Sequence, residues 1–178
     1  MPMRIVVVEH DPAWRTEFEE ESQLISKVLR DRVLRLHHIG STAIPGIFAK
    51  PVIDLLMEVD NIVELDASGC AMEGLGYESM GEFGIPGRRY FRWNNALGVR
   101  THQVHAFEAK SPEIARHLAF RDYMIAHRAE ARAYGELKRN LAREFPEDIQ
   151  GYMNGKDPFI KEHEARALVW WMTRKTKY

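Results

Sequence analysis

The segment Val52 to Val59, Val-Ile-Asp-Leu-Leu-Met-Glu-Val, constrains this chain more than any other, because it is apolar at all but two positions. Read as a strand it must be buried on both faces, which places it inside a sheet rather than at an edge. Asp54 and Glu58 are the two interruptions. The flanking pattern supplies further elements. Arg4 to Val8 is rich in β-branched residues and predicts a strand. Asp11-Pro12 then offers an N-cap followed by proline at the first helical position. The helix behind it, ending near Asp31, turns Trp14, Phe18, Leu24, Ile25, Val28 and Leu29 inward. Val33 to His38 reads as a short strand, and Ile62 to Leu75 as a helix with Val63, Leu65 and Met72 inward. Arg88 to Trp93 and Arg100 to Phe107 alternate around the turn Asn94 to Gly98 and predict a hairpin. From Ser111-Pro112 onward the pattern is helical, with Ile114, Leu118, Tyr123 and Met124, then Tyr134, Leu137 and Leu141, then Leu168, Trp170 and Trp171 facing inward. Strands come early and helices late, an order that predicts an α/β or α+β core with a C-terminal helical layer.

At 178 residues, with 45% hydrophobic content, the chain buries enough surface to fold without staples. One domain over 1–178 is expected, with its sheet in 1–110 and a helical portion in 111–178. Lys and Arg number 25 against 26 Asp and Glu, a net charge of -1 that excludes a globally basic nucleic-acid binder. Any anion site must be local. The single cysteine, Cys70, cannot pair within the chain and fits a reducing, cytoplasmic setting. The apolar run Ile5 to Val8 is too short for a signal segment or a membrane span, and no later run is long enough.

Three places carry candidate chemistry. Gly40-Ser41-Thr42 sits between two expected strands, and its backbone N–H groups and hydroxyls would cradle a phosphate if a short helix opened beyond it. The competing reading is a tight turn whose hydroxyls cap a helix. Lys50 could lend a point charge. Asp54 is costly inside an apolar strand unless it is paired with a cation, hydrogen-bonded or used in acid–base or metal chemistry. Pro86 to His105 holds Arg88, Arg89, Arg92 and Arg100 with His102 and His105 and no acid, so an anion-binding wall competes with a charged sheet edge. Alternation places Gln103 and His105 on one face and His102 on the other. The basic end, Arg174, Lys175 and Lys177, reads as solvated. Trp170-Trp171 reads as core packing, with a contact surface as the alternative.

The ordered series Asp11-Pro12-Ala13-Trp14, His38 to Gly46 leading into Ala49 to Asp54, Arg100 to His105, Arg116 to Tyr123, Tyr134 with Leu137-Lys138, and Tyr152 with Gly155-Lys156 resembles the GrpB family across nearly the whole chain. The resemblance implies a nucleotidyltransferase-like mixed-sheet core. It implies that Gly40 and Ser41 stand in the place of a Gly-Ser phosphate signature, and that Asp54 is the catalytic, Mg2+-holding aspartate. It also carries Thr42, Lys50, His105, Arg121 and Lys138 as candidate phosphate contacts, and the family domain occurs fused to dephospho-CoA kinase. Two-metal phosphoryl transfer wants clustered carboxylates. Val52 and Leu56 flank Asp54 on its own face, and Glu58 lies about 13 Å along the strand, so the paired acid is missing. Glu108 is a candidate third carboxylate. Gln103 stands where relatives carry histidine and Ile125 where arginine is common, so no titrating group is available at position 103. Three readings follow: a nucleotidyl- or phosphoryltransferase, possible with Mg2+; a catalytically degenerate protein that binds a nucleotide or CoA-type ligand; and a protein-interaction module. None calls for a membrane or a specific nucleic acid.

Overall fold

A computed structural model describes residues 4–175. The chain divides into two compact units, one comprising 12–39 and 52–114, the other the start up to Asp11, 40–51 and everything from Ala115 on.

The first unit is built on a five-stranded mixed sheet. In chain order its elements are α1 (Ala13–Leu29), β1 (Val33–Ile39), β2 (Ile53–Val59), α2 (Ile62–Ala67), α3 (Gly69–Gly74), β3 (Glu78–Ser79), β4 (Arg89–Asn94) and β5 (Arg100–Glu108). The strands are arranged β1-β2-β5-β4-β3, with β2 and β5 parallel and the other neighbours antiparallel. As its composition requires, β2 is interior: Ile53, Leu55, Met57 and Val59 are buried on one face, Leu56 and Glu58 on the other. α1 packs on β1 and β2 through Trp14, Ile25 and Leu29, and Phe18 stacks on His38. Leu24, expected inward, is exposed, since it lies off the stripe defined by Ile25 and Leu29. The expected hairpin is present, β4 pairing with β5 from Arg89 opposite Ala106 to Asn94 opposite Arg100.

Two expectations give way. The helix over 62–75 breaks into α2 and α3 because the Ser68 hydroxyl bonds back to the carbonyl of Glu64 (2.8 Å) just before Gly69. Val63, expected inward, is exposed in the first turn, where Asn61 caps its N–H (2.8 Å). The strand expected over Arg4 to Val8 reduces to one antiparallel bridge, Val8 with Ala49, joined by two 2.9 Å hydrogen bonds. The next pair in that register would need an N–H from Pro51, which has none. This segment belongs to the second unit, where Ile5 donates to the carbonyl of Pro146 (2.8 Å).

The second unit is helical: α4 (Pro112–Ala126) from Ala115 on, α5 (Arg128–Glu144) and α6 (Ile149–Lys175). On α5, Ala131, Tyr134, Gly135, Lys138 and Leu141 are buried at helical spacing, so a lysine occupies the apolar stripe. Trp170 and Trp171 pack against Ala119, Tyr123 and Ala167, in agreement with the packing reading. Lys177 lies outside the described residues. Among the described residues no helix is long and apolar enough to cross a membrane.

Candidate functional site

Strand register assembles the first cluster. Asp54 pairs with Gln103 and Leu56 with His105 across β2 and β5, while His105 and Gln103 face Tyr90 and Arg92 of β4. All these side chains therefore share one face of the sheet. The Asp54 Oδ1 lies 3.2 Å from His105 Nε2, their side chains 24% and 14% exposed. On the other ring nitrogen, Nδ1, Arg88 Nη1 approaches to 3.4 Å. A guanidinium only donates, so Nδ1 accepts and Nε2–H donates to Asp54, assigning the neutral tautomer from the network. Arg88 is buried and also donates to the carbonyls of Glu82 (3.1 Å) and Phe83 (2.7 Å). Thus a guanidinium–imidazole–carboxylate chain ends on Asp54.

Beside it, the Tyr90 hydroxyl donates to Gln103 Oε1 (3.0 Å) and accepts from Arg100 (3.2 Å), and Arg100 also donates to Asn94 Oδ1 (2.7 Å). Burial raises the Tyr90 phenol pKa, so it remains a neutral donor. The four arginines thus divide. Arg89 is engaged by Asp66 and Arg92 by Glu78, at 2.6 Å each, whereas Arg100 hydrogen-bonds only neutral oxygens and its charge also acts on Glu78.

Glu58, the second interruption of β2, is taken up elsewhere. Its carboxylate lies 2.6 Å from His37 Nε2, a part-buried pair that sequence pattern alone did not reveal because it depends on the β1–β2 register. Glu108 is not an ally of Asp54: it pairs with Val59 at the far end of β2 and accepts from the N–H of Ile62 (3.2 Å). Among the described residues no three His, Cys, Asp or Glu side chains gather as a metal cage. The residues around Asp54 therefore do not fit a resident two-metal centre.

His102 points to the opposite face, edge-on to Trp93, as alternation predicts. Burial lowers its pKa, with Glu21 and Glu17 opposing in part. The unfolded chain takes up this proton near the ordinary value of about 6.5 while the folded one resists it, so acid erodes stability. On titrating the thermal midpoint from about pH 7.5 down to 5, His102→Gln should lose less than the parent protein. Parallel curves would show that His102 does not contribute.

The remaining candidates, Gly40, Ser41, Thr42, Lys50, Arg121 and Lys138, belong to the helical unit. Gly40 has φ +71°, a conformation that suits glycine, and opens a single 3-10 turn, Ser41–Ala43, rather than a helix. The phosphate cradle expected from a helix terminus is thus reduced to one turn, whose Thr42 is buried. Arg121 Nε bonds Asp122 Oδ1 (2.7 Å). Lys138 is 2% exposed, its ammonium 4.4 Å from the centre of the Tyr134 ring, and Lys50 lies 5.9 Å from that of Tyr152.

Comparison with known proteins places the chain. The sequence model described as GrpB protein matches residues 4–166. The chain belongs to the GrpB family. Its fold matches the crystal structure of conserved protein GrpB from Enterococcus faecalis with a TM-score of 0.89 at 45% identity, covering 94% of this chain and 99% of that one. UPF0157 protein YqkA of Bacillus subtilis is 41% identical over 167 residues, 94% of this chain, but the chain spans only 48% of YqkA. A dephospho-CoA kinase of Mycolicibacterium paratuberculosis is more distantly similar, 27% identical over 193 residues, covering 95% of this chain and 47% of that enzyme.

Proposed function

We propose that this GrpB-family chain binds a phosphate-bearing small molecule of the nucleotide or coenzyme A class and acts on it as a nucleotidyl- or phosphoryltransferase. The observation that carries this reading is the Asp54–His105 pair, 3.2 Å apart on neighbouring interior strands and still reached by solvent. A carboxylate so held can take the proton of an attacking hydroxyl, His105 orients it, and Arg100 offers charge to phosphate oxygens. Asp54 is the proposed catalytic residue. In the helical unit Gly40, Ser41, Thr42, Lys50, Arg121 and Lys138 are proposed phosphate contacts. Magnesium enters this reading only in the company of phosphate oxygens, with Asp54 as the carboxylate it would meet. A cytoplasmic setting belongs to the same proposal. Binding without turnover is the second reading, favoured because among the described residues no three His, Cys, Asp or Glu side chains gather as a metal cage.

Thermal unfolding with nucleoside triphosphates, CoA precursors and inorganic phosphates, each with and without Mg2+, tests both. A ligand at about 100 times its Kd stabilises by about 2.7 kcal/mol. Asp54→Asn should abolish the Mg2+-dependent part of that shift, and product formation separates the two readings. No shift across the panel would overturn the ligand proposal in favour of an interaction module. A shift that survives both Asp54→Asn and His105→Gln would remove the site assignment.

A further inference from the structure

The helical unit holds a cavity of about 290 Å3 between the loop 45–47, the end of α4 and the start of α5. Its floor is apolar and belongs to a buried cluster: Ile47 and Ala131 are 4% and 3% exposed, and Met124 is fully buried. Ile125, which is exposed, carries the lining out to the surface. Arg128 and Arg132 complete that lining, both exposed and four residues apart on α5, so they stand on one face of the helix. Neither guanidinium makes a hydrogen bond or an ion pair among the described residues. The neighbouring acids of α5 are committed elsewhere, Glu130 to His163 (3.3 Å) and Glu136 to Arg139.

Like charges at this helical spacing repel, and the pair has no counter-charge among the described residues. A guanidinium is weakly hydrated and its fork matches two oxygens of a carboxylate or phosphate. The floor beneath, in turn, favours any group that removes it from water. One ligand answers both demands, with an apolar body on Ile47, Met124 and Ala131 and an oxyanion at the two arginines. A mostly apolar concavity of roughly 300 Å3 with a few convergent polar groups is the usual form of a small-molecule site. We propose that this cavity binds a small amphipathic anion, an apolar or aromatic ring that carries a carboxylate or phosphate group. None of its residues enters the function proposed above, so it stands independently of that reading.

Amide NMR titration with phenyl phosphate, benzoate, phenol and inorganic phosphate tests the site, the first two arms distinguishing the anion and the last two separating body from charge. Phenyl phosphate or benzoate should shift the amides of Gly46, Ile47, Ile125 and Arg128 saturably. Phenol and inorganic phosphate should each bind about tenfold more weakly, since each lacks one half of the ligand. Arg128→Gln and Arg132→Gln should each weaken binding about fivefold, the upper range for an exposed ion pair. Both variants should unfold no lower than the parent protein, because a like-charge repulsion is removed. Arg143→Gln, on the same helix but outside the cavity lining, removes an equal charge and should leave binding unchanged. Affinity unaffected by Arg128→Gln and Arg132→Gln, or reduced as much by Arg143→Gln, would overturn the anion contact, and inorganic phosphate binding as well as phenyl phosphate would overturn the apolar seat. No saturable shift at these amides with either phenyl phosphate or benzoate would overturn the site, whatever nucleotides do in the thermal unfolding above.

Discussion

Gly135→Val should lower the stability of the protein by about 3 kcal/mol, the upper range for a forced overpacking. A Cβ at position 135 would stand 2.9 Å from the backbone N of Phe48 and 3.1 Å from the Cβ of Ile47. Neither atom can rotate away, so either α5 or the 47–48 segment must move. Gly135→Ala sharpens the test because two effects oppose. Alanine gains about 1 kcal/mol over glycine in a helix interior. The contact with a backbone atom outweighs it, giving a net loss of about 1 kcal/mol. Urea denaturation measures both, and an alanine variant as stable as the parent would show that the segment yields.

Arg88→Ala should cost about 3 kcal/mol, since a buried guanidinium that serves two carbonyls and an imidazole is lost and those acceptors are left behind. The effect is local as well as global. Arg88 secures the loop from Gly81 to Gly87, in which Phe83, a non-glycine residue at φ +47°, stacks on Tyr90 with ring centres 5.2 Å apart. Limited proteolysis within that loop should therefore accelerate in the variant. Arg88→Lys should not restore stability, because one ammonium cannot reproduce the fork that reaches Glu82, Phe83 and His105. Unchanged stability with an equally resistant loop would show that Arg88 is not the anchor. Loss of Arg88 also removes one of the contacts that orient the His105 ring, so the same variant should weaken any ligand response that depends on Asp54.

Much of the candidate site was legible residue by residue, and its wiring was not. The cost of a carboxylate in an apolar strand singled out Asp54, and period-two alternation put Gln103 and His105 on one face. Which residue Asp54 meets depends on β2 and β5 pairing in parallel across a connection of 40 residues, a register no local pattern encodes. The same reason hid the His37–Glu58 pair.

Sequence alone determined the local elements and their character: the doubly buried strand over Ile53–Val59, the hairpin around Asn94 to Gly98, and the helical run after Ser111. Burial, turn chemistry and periodicity act over a few residues, so they can be read directly from the chain. Tertiary structure alone decided that Glu58 serves His37, that Arg88 backs His105, and that Lys138 is buried against the Tyr134 ring. Those outcomes depend on which distant groups are desolvated together, and the energy of a buried charge is set by its partners rather than by its place in the sequence.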